Sequence, residues 1–379
     1  MSPAETIAGM VQAPATNGIN RRTHVGVNKE TITDVSSSSF PGHYPQEDHS
    51  WSLAKFAETF SVQFHANEPL KATFSLIGLD ASIANAFRRI LLAEIPTIAP
   101  EYCYFTNNTS VLHDETLAHR LGLIPFTGPL AGLEWLRFYD PGPGPDRNDP
   151  TDFNTLCFTL HATCGFNPAC TDKDEPDPLV KYVGAHVYAR DLQFTAIGNQ
   201  EDFFTDRLPF RPVNPDVLVA KLRPGQEIEL QLHCVKGRGA DHAKFSPVAT
   251  ATYRLLPAIQ ILRPILGADA RKFARCFPRG VVGLQVVTEA DVEEWGNEYR
   301  GRVGEKKAVV RDPMRDTVSR ECLRHDEFEG KVRLGRVRDH FIFEIESTGQ
   351  FESDYLFLES VKVLRLKCER IKRHLNLVR

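Results

Sequence analysis

Residues 83–92 read Ile-Ala-Asn-Ala-Phe-Arg-Arg-Ile-Leu-Leu. Asp80 precedes them as a good N-cap, Pro96 forbids continuation, and Ile83, Phe87, Ile90 and Leu91 recur at helical spacing, so an amphipathic helix is predicted over 81–94. Its apolar face must be covered by something. Arg88 and Arg89 cannot be fully buried without carboxylate or carbonyl acceptors. Adjacent on a helix, they leave it about 100° apart and point to different sides. A solvated basic face is the plainer reading of the pair.

Outward from this helix, Phe60, Val62 and Phe64, and then Leu70, Ala72, Phe74 and Leu76, alternate with polar residues, which predicts two half-buried strands with a turn at Asn67-Glu68-Pro69. A short helix is expected over 113–121, and the Pro/Gly/Asp run at 140–150 reads as a surface loop. Alternation returns at Leu156, Phe158 and Leu160, at Ile228, Leu230 and Leu232, and at Phe341, Phe343 and Ile345. The middle block that holds the strands at 156–160 and 228–232 thus reads as a separate mostly β domain, and the fold class expected is α+β. Residues 1–50 are rich in Pro, Gly, Asn, Thr and Ser without an apolar period and are predicted to be a disordered tail.

At the other end, Phe357, Val361, Leu364, Cys368, Ile371 and Leu375 fall at a 4-3-4-3-4 spacing, a narrow stripe suited to a partner helix. Glu352, Asp354 and Glu359 near its start and Lys372, Arg373, His374 and Arg379 near its end match the helix dipole. The blander alternative is that the stripe docks on its own sheet.

The chain has 379 residues, 42 % hydrophobic and 25 % charged, with a net charge of −4. That is ordinary for a soluble globular protein of two or three domains, and it gives no whole-chain attraction to polyanions or anionic membranes. No apolar stretch approaches the roughly 20 residues of a membrane span, and there is no apolar signal core, so an intracellular protein is expected. The eight cysteines are scattered and are expected to be free thiols in a reducing compartment. A phosphate-cradling loop, a His-Glu-x-x-His helix, a Gly-x-Ser-x-Gly elbow and two-metal Asp clusters are all missing. His113 and His119, six apart, cannot share one metal from one helical face.

Four segments carry a resemblance. They are 83–92 with Ile95-Pro96; Leu117-Ala118-His119-Arg120-Leu121-Gly122-Leu123-Ile124-Pro125; Asp241-His242-Ala243-Lys244-Phe245-Ser246-Pro247-Val248; and Arg336 to Phe343 followed by Glu346-Ser347-Thr348-Gly349. In this order they resemble the alpha-like subunits of multisubunit RNA polymerases, from about residue 55 onward. Gly237-Arg238-Gly239 and Asp316-Thr317-Val318-Ser319-Arg320-Glu321 are more similar to the larger alpha-like subunits shared by RNA polymerases I and III than to their polymerase II counterparts.

The resemblance implies a discontinuous dimerisation domain over 51–103 and 249–379, with an inserted mostly β domain over 104–248. It implies a non-catalytic nuclear subunit, found in nucleolus and nucleoplasm, with no cofactor. The expected partners are a smaller alpha-like subunit, held as a heterodimer, and the second-largest and largest polymerase subunits; no sequence-specific nucleic acid and no membrane are expected. The partner-binding residues it implies are Ile83, Asn85, Phe87, Arg88, Arg89, Ile90 and Leu91 of the first helix, Phe357, Val361, Leu364, Cys368, Ile371 and Leu375 of the last, and His119, Arg120, His242 and Lys244, whose cationic groups would grip acidic loops. Relatives carry a four-cysteine zinc site or an Fe–S module. Here only Cys164 and Cys170 are close, and Cys276 and Cys322 lack the short run of cysteines that a cluster needs, so 258–337 reads as a cluster-free ferredoxin-like insertion. A stand-alone nucleic-acid module using the basic last helix and Arg271 to Arg279 is the alternative, weakened by the acidic net charge and the lack of interleaved aromatics.

Overall fold

The structure is a computed structural model that describes residues 20–35, 48, 50–140, 142, 149–172, 175–203 and 210–378. Along the chain come strands β1 (His24–Val27) and β2 (Ile32–Thr33), helix α1 (Leu53–Thr59), β3 (Ser61–Glu68), β4 (Lys71–Ile77), α2 (Ala81–Ala93), β5 (Pro96–Asn108), α3 (Asp114–Gly122), β6 (Phe126–Thr127) and α4 (Leu130–Trp135). The middle holds β7 (Thr155–Thr163), β8 (Gly165–Phe166), α5 (Pro178–Lys181), β9 (Tyr182–Val183), β10 (His186–Tyr188), β11 (Gln193–Thr195), α6 (Gln200–Phe203), β12 (Arg211–Pro212), β13 (Leu218–Lys221) and β14 (Glu227–Arg238). The last part holds β15 (Val248–Ile261), α7 (Gly267–Arg275), β16 (Val282–Val286), α8 (Glu289–Trp295), β17 (Lys306–Val310), β18 (Val332–Ser347) and α9 (Ser353–Val378). Asp80 starts α2 as expected, its carboxylate accepting the Ser82 amide at 2.8 Å.

Two compact units result. Of the described residues, the first takes those between 20 and 63, 74–84 and 253–343. Its spine is β18, in a sheet ordered β2-β1-β18-β4-β3 with β15 also paired to β18. The alternation at 341–345 puts Phe343 against Phe74, rings stacked with centroids 5.5 Å apart, and Tyr253 lies against both Phe341 and Phe343. A second core gathers Phe273, Phe277 and Phe328 edge to face, with Ile265, Val27 and Leu334 around them.

Part of the expected tail is ordered. Residues 20–35 form the β1–β2 hairpin, antiparallel to β18 with Val25 opposite Arg336 and Val27 opposite Leu334. Two buried valines and an Arg21–Asp34 ion pair at 2.8 Å hold it, together with Arg338, which donates to the Asp34 carbonyl. These few apolar residues were hidden among turn formers; residues 1–19, 36–47 and 49 lie outside the described residues. The half-buried strand expected around Val62 and Phe64 also differs: as the sheet's edge, β3 has no buried residue and leaves both side chains exposed.

The second unit takes 64–73, 85–252 and 344–379. It is built on an antiparallel sheet ordered β11-β7-β14-β5. Leu156, Phe158 and Leu160 of β7 and Ile228, Leu230 and Leu232 of β14 turn the same way into a core closed by Leu117 and Leu121 of α3. The boundary expected at 103/104 falls inside β5, which pairs with β14 from Asn108–Ile228 to Pro96–Arg238. That long ladder keeps residues 85–103 in the same compact unit as the block over 104–248. Among the described residues no helix is long and apolar enough to cross a membrane.

Candidate protein interface

Three of the quoted motifs are knitted together in the second unit. The Phe245 ring lies where a Cβ on Gly237 would stand, 2.6 Å from its nearest atom, and a Cβ on Gly239 would stand 2.2 Å from the Leu92 carbonyl oxygen at the end of α2. Ala240 donates to the Ala93 carbonyl at 2.9 Å, and Thr97 Oγ1 donates to the Phe245 carbonyl at 2.6 Å. Thr348 Oγ1 donates to Pro247 and Gln350 Nε2 to Ile98, so the turn after β18 is tied to the same corner.

The remaining motif, in α3, meets this corner across a groove of about 580 Å³ lined by Glu101, Glu115, His119, Leu123, His242 and Lys244 among others. His119 and His242 are exposed on its walls. Two expected contacts are different in kind. Lys244 is only 12 % exposed, and its ammonium donates to the Pro100 carbonyl at 2.7 Å and to Glu101 at 2.5 Å. Arg120 donates to the carbonyls of Leu218 and Val219, at 2.8 and 3.1 Å, fastening α3 to β13. Each is tied to its own chain and helps to hold the fold, while Arg120, which is exposed, uses two of its five N–H donors and Lys244 two of its three. The His242 Nδ1 accepts the Lys244 amide at 3.1 Å, which leaves Nε2 for other partners. Leu123, not singled out by the sequence, is 66 % exposed on the groove because the chain leaves α3 toward Pro125.

The helices at the two ends of the chain also meet. Phe87 is buried edge-on against Phe357, centroids 5.5 Å apart, and Ile90 and Leu91 are buried. These three are covered by their own chain, so they do not face a partner as expected. Ile83 stays exposed, Arg88 donates its Nε to the Asn85 side chain at 3.0 Å, and Arg89 is exposed. The stripe on α9 divides in the same way. Its first turns are sealed by Leu356, Phe357 and Ser360, whereas Val361, Ile371 and Leu375 are 40, 61 and 63 % exposed, Cys368 is exposed and Leu364 half-buried. An uncovered apolar stripe on a 26-residue helix is a surface that a partner helix fits. Three of the six lysines and arginines on α9 among the described residues are paired with carboxylates: Lys362 with Glu359 at 2.9 Å, Arg365 with Glu369 at 2.9 Å and Lys367 with Glu94 at 2.7 Å.

All eight cysteines are free. Cys164, Cys276 and Cys322 are buried in cores, and burial pushes the Cys322 thiol up to about 12. Thiols raised in this way are poor ligands and poor nucleophiles.

The family described as "RNA polymerase Rpb3/Rpb11 dimerisation domain" matches residues 73–368. The Saccharomyces cerevisiae protein named DNA-directed RNA polymerases I and III subunit RPAC1 is 46 % identical over 348 residues, covering 92 % of this chain and 97 % of the relative. The Homo sapiens protein of the same name is 43 % identical over 357 residues, covering 94 % and 96 %. Subunit 3 of DNA-directed RNA polymerases II, IV and V of Arabidopsis thaliana is 30 % identical over 309 residues, covering 79 % and 86 %. With a dimerisation-domain match over most of its length and polymerase subunits as relatives along nearly all of it, the chain belongs to the Rpb3/Rpb11 dimerisation-domain family and is a non-catalytic, alpha-like RNA polymerase subunit.

Proposed function

We propose that this chain is an assembly subunit of nuclear RNA polymerases I and III, at work in nucleolus and nucleoplasm, and that it supports synthesis of rRNA, tRNA and 5S RNA. It forms a heterodimer with a smaller alpha-like subunit, and the pair presents a platform to the two large catalytic subunits. The observation that carries this reading is the stripe on α9: sealed over its first turns, half-covered at Leu364 and open from Cys368 to Leu375, it is a half-finished helix packing. An obligate interface of this type buries more than about 2,000 Å². The names of the yeast and human relatives, shared by polymerases I and III, support the choice of enzymes. The exposed Arg89 and the groove at His119 and His242 are the contacts to the large subunits. The net charge of −4 disfavours a stand-alone nucleic-acid role for the chain. Co-expression with candidate small alpha-like subunits tests the proposal: one of them gives a soluble 1:1 complex that recovers the large subunits, and failure with every candidate sinks it.

A further inference from the structure

We propose that His161, Glu227 and Glu229 form a surface site for one divalent cation of the zinc type. His161 on β7 stands directly opposite Glu229 on β14 in the antiparallel register, and Glu227 is two residues away on the same strand. One ligand atom from each of the three lies within 4.8 Å of the others. The trio is held by a rigid ladder, and its backbone is pinned: the Glu227 amide donates to Thr109 Oγ1 at 2.8 Å, and the Thr109 amide donates to the Glu227 carbonyl at 3.0 Å. Asn107 Nδ2 donates to Glu227 Oε2 at 2.9 Å and orients that carboxylate, the part an outer partner plays for a metal ligand.

Charge points to a cation. Two carboxylates share one edge of β14 and repel, yet no lysine or arginine bonds either of them among the described residues. Glu227 has only His161 Nε2, at 2.9 Å, and Asn107 as side-chain partners, and Glu229 has none. One imidazole nitrogen and two carboxylate oxygens make a borderline donor set that leaves a position for water, the pattern of an open zinc site. On binding, the neutral imidazole carries its proton on Nδ1. Its Nε2 lone pair then turns from Glu227 to the cation, and Glu227 Oε1 exchanges the ring for the metal. The bound ion crosslinks β7 to β14 near the end of the first strand and the start of the second.

Titration of the purified full chain with Co2+, a spectroscopic stand-in for Zn2+, tests the site. The expected result is one equivalent bound with a nitrogen and oxygen spectrum, weakened about tenfold or more by His161→Ala and by Glu229→Gln. A rise in unfolding temperature with Co2+ is expected in the parent chain and not in either variant. Substitution of His161 and Glu229 is expected to leave the apo fold intact, since neither side chain is buried. Absence of stoichiometric binding, a thiolate spectrum, or binding that survives both substitutions would overturn the proposal.

Discussion

The ring of Phe357 stands edge-on to that of Phe87 at 70°, so the first long helix and the last meet in a buried aromatic pair 270 residues apart in sequence. Removing Phe357 leaves a cavity under α2 and loses the pair's edge contact. Phe357→Ala is expected to cost about 3–5 kcal/mol in urea unfolding. Ile371→Ala, on the open part of the same stripe, is expected to change the isolated chain's stability by less than about 0.5 kcal/mol, since an exposed position carries no packing to lose.

Interface and fold separate in the same helix. Ile371→Glu with Leu375→Glu adds carboxylates to an open surface, so the isolated chain keeps its circular dichroism and unfolding midpoint. Recovery of the small alpha-like partner in co-expression is expected to fall at least about tenfold, because the partner would bury those charges unpaired. Intact recovery of the partner would remove α9 from the interface.

Gly237 and Gly239 read in the sequence as a family signature, and the structure gives them a reason. A methyl at Gly239 would stand 2.2 Å from the carbonyl oxygen of Leu92, which is backbone and cannot swing aside. Gly239→Ala is expected to destabilise by about 1–3 kcal/mol, as overpacking does, measured by chemical denaturation. At Gly237 the intruded group is the Phe245 ring, so Gly237→Ala with Phe245→Leu is expected to recover part of the loss that Gly237→Ala shows alone.

The elements that sequence reading recovered are those whose apolar period is long and uninterrupted. The helix over 81–93, the strands around Phe158, Leu230 and Phe343 and the C-terminal helix all declare themselves by spacing. The β1–β2 hairpin did not, because two valines among turn residues carry no period and become strands only when β18 offers its edge. For the candidate site, the sequence offers residues but not their surroundings. Spacing shows that Lys244 and Arg120 lie beside loop exits, but not that the Pro100 and Val219 carbonyls wait within reach. Likewise Phe87 and Leu375 belong to the same kind of pattern, and only packing reveals that one is sealed by its own chain and the other is open.

Lys244 is therefore expected to act on folding before it acts on assembly. Lys244→Met leaves Glu101 and the Pro100 carbonyl without their donor while keeping the aliphatic stem. A loss of about 1.5–3 kcal/mol is expected, the range for hydrogen bonds to a charged group. Lys244→Glu, which sets a carboxylate beside Glu101, is expected to be worse. Arg89→Glu gives the contrast: with its side chain exposed, it should leave the unfolding midpoint unchanged and lower only the recovery of large subunits.

Acid sensitivity follows from two histidines. Burial pulls His233 below its ordinary value of 6.5, and its Nδ1 is buried without a hydrogen-bond partner beside the Tyr104 ring, 4.8 Å away. His24 is also lowered, by burial first, with Asp339 raising it and Arg338 lowering it. Both bind a proton in the unfolded chain at a pH where the folded chain does not. Their contribution is thus fully present above 6.5 and is lost as pH falls through the lower, folded-state values. Each histidine steepens the loss by at most about 1.4 kcal/mol per pH unit. Urea midpoints measured from pH 7.5 downward should hold level to about 6.5 and then decline, and His233→Gln should flatten that decline. An equal slope in the variant would mean that the imidazole of His233 titrates alike in both states, and that the decline comes from other groups.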